Sequence, residues 1–289
     1  MRRAHIFQIV LFCLAANAFP TWAMTFQHTA LANARAYREQ GLAQFKASQY
    51  EDAVESFKQA LSLQPDYGNA QNDLGVAYVK LGRLEEAVDA FKQAIHSQPD
   101  LTEAYYNLGT QYDKLERYAE AIEALNQAIR LAPKYAWAYH NLGVAYSHAG
   151  KYQEAIASFQ RAVHFDPGSA ETYLLLASAY YQATQSREAI GALKEAIRLK
   201  PDYVEAINSL GVVYASLGKR KEAAESFQQA IRIKPDYAEA HYNLGATSLA
   251  RQEKGAAIDQ YHRLKTLSPD LADKLYRGIY QGMVLGLTK

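Results

Sequence analysis

The chain has 289 residues, with 31 Lys and Arg against 30 Asp and Glu. A balance this close to neutral, without basic runs, lacks the electrostatic footprint of a nucleic-acid or anionic-membrane binder. With 49% hydrophobic and 21% charged residues, a disordered chain is excluded as well.

At the N-terminus, Arg2 and Arg3 precede an unbroken apolar run from Ile9 to Ala16. Two small-residue cleavage sequences follow, Ala16-Asn17-Ala18 and Thr21-Trp22-Ala23. This is the pattern of a secretory signal over residues 1–23, with cleavage after 18 as the alternative. The stretch from Ile6 to Phe19, interrupted by Gln8 and Asn17, is shorter than the roughly 20 residues a spanning helix needs. A periplasmic or secreted protein of a bacterial envelope is therefore expected, the alternative being an inner-membrane anchor formed by the uncleaved signal. The bacterial reading rests on the brevity of the signal and the lack of N-x-S/T sites. Cys13, the one cysteine, lies inside the apolar run. The mature chain then has no thiol, which excludes disulfides, thiol catalysis and Cys-based zinc sites.

After a short lead-in at 24–33, punctuation takes over. Pro65, Pro99, Pro133, Pro167, Pro201, Pro235 and Pro269 each lie 34 residues from the next, and a fixed period marks a repeat array. The blocks are 34–67, 68–101, 102–135, 136–169, 170–203, 204–237 and 238–271. Block position 8 holds Gly41, Gly75, Gly109, Gly143, Ala177, Gly211 and Gly245. Position 11 holds Tyr78, Tyr112, Tyr146, Tyr180 and Tyr214. Position 20 is alanine throughout, from Ala53 to Ala257. Position 24 holds Phe57, Phe91, Leu125, Phe159, Leu193, Phe227 and Tyr261, and position 27 is Ala60, Ala94, Ala128, Ala162, Ala196, Ala230 and then Leu264. Positions 4, 7, 8 and 11 share one face of a first helix, and 20, 24 and 27 one face of a second. Small residues at 8, 20 and 27 allow close approach, and position 24 fills the space between. Gly82, Gly150 and Gly218 at position 15 turn the chain, and proline ends the second helix. Asp100 with Glu103, Asp202 with Glu205 and Asp236 with Glu239 have capping-box spacing. Block four departs from this with Lys134 and Trp137, a lost cap and an exposed aromatic residue.

These columns resemble the tetratricopeptide repeat over 34–271. The fold this implies is all-α: a right-handed α-α superhelix of seven helix-turn-helix repeats, a solenoid in which stacking closes the core. Residues 272–289 continue with Leu275, Ile279, Met283 and Leu287 at helical spacing, which predicts a C-terminal capping helix. Gly278, Gly282 and Gly286 form a second stripe on it, read either as tight packing on block seven or as the face of a homodimer.

No enzyme is expected. Nucleophile elbows, phosphate loops and zinc-binding H-E-x-x-H are all missing from the sequence, and His140 and His148 are too far apart along a helix to share a metal. No cofactor or metal is therefore expected. The resemblance implies that first helices line a concave groove through positions 2, 5, 6, 9, 12 and 13. Most of the 22 tyrosines occupy packing positions; Tyr106, Tyr181 and Tyr242 remain as binding candidates. The predicted partner surface is Tyr106, Asn107, Trp137, His140, Asn141, Leu174 and Tyr181, apolar and aromatic groups flanked by amides. Such a surface suits an extended peptide. Asparagines at position 6, recurring as Asn243, are similar to those by which the repeat arrays of O-GlcNAc transferases bond a peptide backbone, although Leu175 and Ser209 break the ladder here. Lys46, Lys80 and Lys114 at position 13 predict a basic end. The family's carboxylate clamp is not matched, since its positions hold Glu103, Tyr106, Thr110 and Val144. The expected role is an exported adaptor that binds a partner protein through an extended segment. Stacking of Tyr106, Trp137 and Tyr181 on cell-wall or exported polysaccharide is one rival, and a self-associating scaffold the other.

Overall fold

The computed structural model describes residues 21–282 and 284–288; the expected signal over 1–23 lies almost wholly outside them. Among the described residues all regular structure is helical, in fifteen helices. They group into two compact units, up to Ala132 and from Pro133 onward. The first unit holds α1 (Thr21–Lys46), α2 (Tyr50–Leu63), α3 (Gly68–Lys80), α4 (Leu84–Ser97), α5 (Thr102–Lys114) and α6 (Tyr118–Leu131). The second holds α7 (Ala136–His148), α8 (Tyr152–Phe165), α9 (Ala170–Gln182), α10 (Ser186–Leu199), α11 (Val204–Ser216), α12 (Arg220–Ile233), α13 (Ala238–Ala250), α14 (Lys254–Leu267) and α15 (Pro269–Gln281). In both, consecutive helices pair as antiparallel hairpins, and each hairpin stacks on the next within its unit.

Close approach inside each hairpin has a steric cause. A Cβ on Gly41, Gly75, Gly143 or Gly211 would lie 2.5–2.6 Å from Cε1 of Phe57, Phe91, Phe159 or Phe227, inside contact distance. Those phenylalanines are fully buried because they occupy the space the glycines leave. Gly245 differs: its missing Cβ makes room for Leu275 of α15. The turn between the paired helices requires left-handed backbone at position 15, where Gly82, Gly150 and Gly218 have φ of 72–73°. Ser48, Glu116, Thr184 and Gln252 adopt the same conformation without being glycine. The following amide closes the turn on the position-11 carbonyl, as Arg83 does on Tyr78 at 2.9 Å. The Arg83 and Arg117 guanidinium groups then lie 4.4 and 4.5 Å from the ring centroids of Tyr78 and Tyr112. At the far end, the residue before each proline donates the last helical amide to the position-27 carbonyl, as Gln98 does to Ala94 at 2.8 Å. Proline has no amide to continue the ladder.

Three expectations change. The capping boxes do not form: the N-caps are Leu101, Tyr203 and Tyr237, with no side-chain cap bond. The helices start one residue later than the box requires, which leaves each aspartate one position too early. Lys134 therefore costs block four no cap. The lead-in at 24–33 is continuous with the first repeat, since no proline interrupts α1. The capping helix runs from Pro269 to Gln281 rather than over 272–289. Leu275 and Ile279 are buried as the stripe predicts, but Gly282 adopts left-handed backbone (φ 68°) and ends the helix. Gly278, Gly282 and Gly286 consequently do not share a helix face, and the basis for a glycine-lined dimer contact falls away.

Gly143→Ala is expected to destabilise the protein by about 1–3 kcal/mol, because the added methyl must displace the buried Phe159 ring. Urea denaturation followed by circular dichroism measures it; an unchanged midpoint would show that the hairpin tolerates a side chain here.

Candidate functional site

In the first unit, residues at positions 5 and 6 couple successive first helices. Arg38 Nε donates to Asp73 Oδ2 at 2.6 Å, and Asn107 Nδ2 to Asn72 Oδ1 at 3.0 Å. One amide proton of Asn107 is thus already engaged with the preceding repeat. Tyr106 and Asn107 are half-buried on α5. Lys46, Lys80 and Lys114 are exposed in the last turns of α1, α3 and α5. A cation there is favoured by the helix dipole whether or not it meets a ligand.

In the second unit, Trp137 in the first turn of α7 is 51% exposed. Its ring meets His140 edge-on, with centroids 5.5 Å apart, and His140 in turn lies 6.0 Å from Phe159. His140 is only 7% exposed, so it supports Trp137 from beneath rather than presenting a surface. Its Nδ1 lies 2.8 Å from Thr172 Oγ1, and Thr172 is held by Ser169, whose hydroxyl accepts the Thr172 amide at the start of α9. Burial pushes the His140 imidazole below its ordinary value, with Glu171 opposing more weakly. Asn141 is half-buried on the same helix.

Leu174 and Tyr181 are brought together. They line one apolar cleft between α9 and α11 with Ser178, Ser209 and Val212. Tyr181 and Val212 also border a second cleft with Ser216 and Arg220, whose far wall is Ala246 and Thr247 of α13 and which Leu285 and Leu287 also line. Tyr242, a binding candidate from the sequence, is instead 3% exposed and packs with Leu264 and Leu275.

The leucines in the second cleft belong to the C-terminal segment, which folds back after Gly282. Leu285 covers Gly278 and packs on the cluster of Tyr242, Leu264 and Leu275. Leu287 packs on the cluster of Val212, Phe227 and Leu244. Between them and the chain end, Asn243 grips the main chain of Thr288. The Thr288 amide donates to Asn243 Oδ1 at 2.7 Å, Asn243 Nδ2 donates to the Thr288 carbonyl, and the Thr288 hydroxyl donates to Oδ1 at 3.2 Å. Asn208 adds a longer bond to the same carbonyl, 3.3 Å, and accepts from Asn243 Nδ2 at 3.0 Å. Both asparagines are fully buried. Residues 240–248 of α13 are buried without a break, because hairpin, cap and tail cover every side of it. Asn208 at position 5 and the tail were not recognised from the sequence. The available signal was the three glycines after Arg277, too many for the helix read there.

The comparisons agree on the repeat. Residues 68–274 match the family described as the cilia and flagella-associated protein 70 C-terminal domain, and residues 34–82 match a TPR repeat family. No curated protein matches significantly. Among solved structures, a MamA protein is 26% identical, covers 59% of this chain and 93% of its own, and superposes with a TM-score of 0.55. YrrB, described as a TPR protein with an unusual peptide-binding site, is 23% identical over 66% of this chain and 99% of its own, TM-score 0.56. PilF of Pseudomonas aeruginosa is 21% identical over 72% and 94%, TM-score 0.60. The last two likenesses speak to the fold alone.

The His140 environment predicts a pH dependence. The folded protein favours neutral imidazole, whereas in the unfolded chain protonation occurs near the ordinary 6.5. The contribution is fully present above that pH and is lost as pH falls from there through the lower folded value. Between pH 7.5 and 5.5 the urea midpoint of the wild type is expected to drop further than that of His140→Gln. Parallel curves would mean that His140 is not held neutral.

Proposed function

Since the chain belongs to the tetratricopeptide-repeat family described by the cilia and flagella-associated protein 70 C-terminal domain, we propose that it is an interaction scaffold whose first-helix surfaces bind an extended segment of a partner protein. The observation that carries this reading is the clasp at Asn243. One side-chain amide bonds both the amide and the carbonyl of a single residue in a non-helical segment, which is how a protein reads peptide main chain independently of sequence. Beside it, Leu174, Tyr181 and Val212 offer apolar seats for side chains. Trp137 adds a half-exposed ring held from below by His140, a suitable anchor at the start of α7. Tyr106, Asn107 and the exposed lysines supply a comparable surface in the first unit, with a preference for acidic residues beside Lys46, Lys80 and Lys114. Asn141 completes the set of amides. No residue is assigned a catalytic role.

A photo-cross-linking residue at Ser178, on the α9 surface, is expected to capture a defined protein from native extract. The same group at Gln228, on the exposed side of α12, should not. Tyr181→Arg should reduce capture from Ser178 by at least tenfold. Equal capture from both sites, or capture indifferent to Tyr181→Arg, would move the binding surface away from the first helices.

Export belongs to the same proposal and is supported by the sequence of residues 1–23. N-terminal sequencing of the mature protein should begin at Met24, or at Phe19 with the alternative cleavage. A chain that begins at Met1 and stays with the membrane would identify the anchor instead.

A further inference from the structure

We infer that the α9–α11–α13 surface is a peptide site for an extended segment carrying two leucines one residue apart followed by a hydroxyl residue, and that residues 284–288 fill it in cis until such a segment displaces them. The inference rests on the peptide-binding reading above and adds a ligand class and an occupant to it.

The tail defines the pattern because each part of it meets a different feature. Leu285 sits over Gly278, where a side chain on the helix would exclude it. Leu287 sits on the separate cluster of Val212 and Leu244. Gly286 between them would tolerate a side chain, since a Cβ there meets nothing within 4 Å. Thr288 contributes its amide, carbonyl and hydroxyl to Asn243. The required features are therefore the two leucine seats and the main-chain clasp, and the middle residue is unselected.

Two observations mark the tail as a replaceable ligand. Thr247 lines the same cleft, and its Oγ1 is buried without a hydrogen-bond partner among the described residues. A buried hydroxyl left in this state costs free energy that a better-matched ligand recovers. The cleft of Leu174, Ser178 and Ser209 adjoins the tail through Tyr181 and Val212, but none of the described tail residues lines it. A longer ligand placing an apolar group there gains contact the tail lacks. Against this, the tail is tethered through only a few residues after Gln281, which gives it an effective concentration on the order of millimolar. A free segment of equal contacts loses that competition, and a longer one can win it.

The probe is a fluorescein-labelled synthetic peptide with the sequence of residues 282–289, titrated by anisotropy into the full chain. Leu285→Asp with Leu287→Asp ejects the tail while leaving α15 intact. This variant is expected to bind the probe at least tenfold more tightly than the wild type, and adding Asn243→Ala should reverse the gain. Thr288→Pro removes the amide that Asn243 accepts while keeping both leucines, and provides a second route to tail release should the aspartates disturb folding. Circular dichroism melts establish that each variant is folded. A folded, tail-released protein that does not bind the probe would overturn the ligand class, and equal binding by wild type and released protein would overturn occupancy in cis. A dimer in sedimentation that Leu285→Asp with Leu287→Asp dissolves would assign the tail to a second copy and overturn it too. Should partner capture from Ser178 persist while the probe fails, the peptide-binding surface stands and only the ligand class falls.

Discussion

In each hairpin the first helix reaches the second only where one residue has no side chain or a single methyl. Gly41, Gly75, Gly143 and Gly211 each leave a volume that a fully buried phenylalanine from the facing helix occupies, so enlarging the glycine alone costs stability. Everything outward follows from that contact. Once positions 8, 20, 24 and 27 are committed to it, positions 4, 7 and 11 close the turn and the stack. The side of the first helix carrying positions 5, 6, 9 and 12 is then left for other purposes.

Two kinds of group occupy that remaining side. Some couple repeats to one another: Arg38 with Asp73, Asn107 with Asn72 and Asn243 with Asn208 all join position 5 of one repeat to position 6 of the next. Others form apolar seats, as Leu174 and Tyr181 do. The pairing of amides matters for recognition, because it orients the asparagine and leaves its remaining capacity pointed in a fixed direction. At Asn243 that capacity is spent on Thr288. In water the same groups would be solvated, so exchanging solvent for peptide main chain is nearly neutral in hydrogen-bond energy. The net attraction for a segment in this groove then comes from its leucines, about 1.5–3 kcal/mol for each one fully buried. That division of labour, amides for direction and leucines for affinity, suits a site whose occupant can be exchanged.

The neighbourhood of Trp137 follows a different principle. Buried His140 and Thr172, with half-buried Ser169, form a polar chain that holds the imidazole in place under the indole. An exposed aromatic ring on a rigid polar footing loses little conformational freedom when it meets a partner, which favours it as an anchor.

How much of this was legible in the sequence depends on the range over which each interaction acts. The period of the prolines, the small residues at positions 8, 20 and 27 and the left-handed turns at Gly82, Gly150 and Gly218 are local or single-hairpin effects, and a 34-residue window contains all of their causes. Leu174 and Tyr181 could be placed on one surface for the same reason. The capping boxes misled because a spacing of three residues does not reveal where a helix starts, and a shift of one residue removes the bond. The tail could not be read at all from its own residues. Leu287 has the right spacing for a helical stripe, and Gly282, by taking the left-handed conformation at the end of α15, sends it elsewhere. Asn208 and Asn243 meet Thr288 across separations of 80 and 45 residues. The periodic helix hairpins were thus determined by the sequence alone, through packing inside one repeat. What occupies the surface they leave open was decided by tertiary structure, because it depends on which distant segment reaches buried amides that must find a partner.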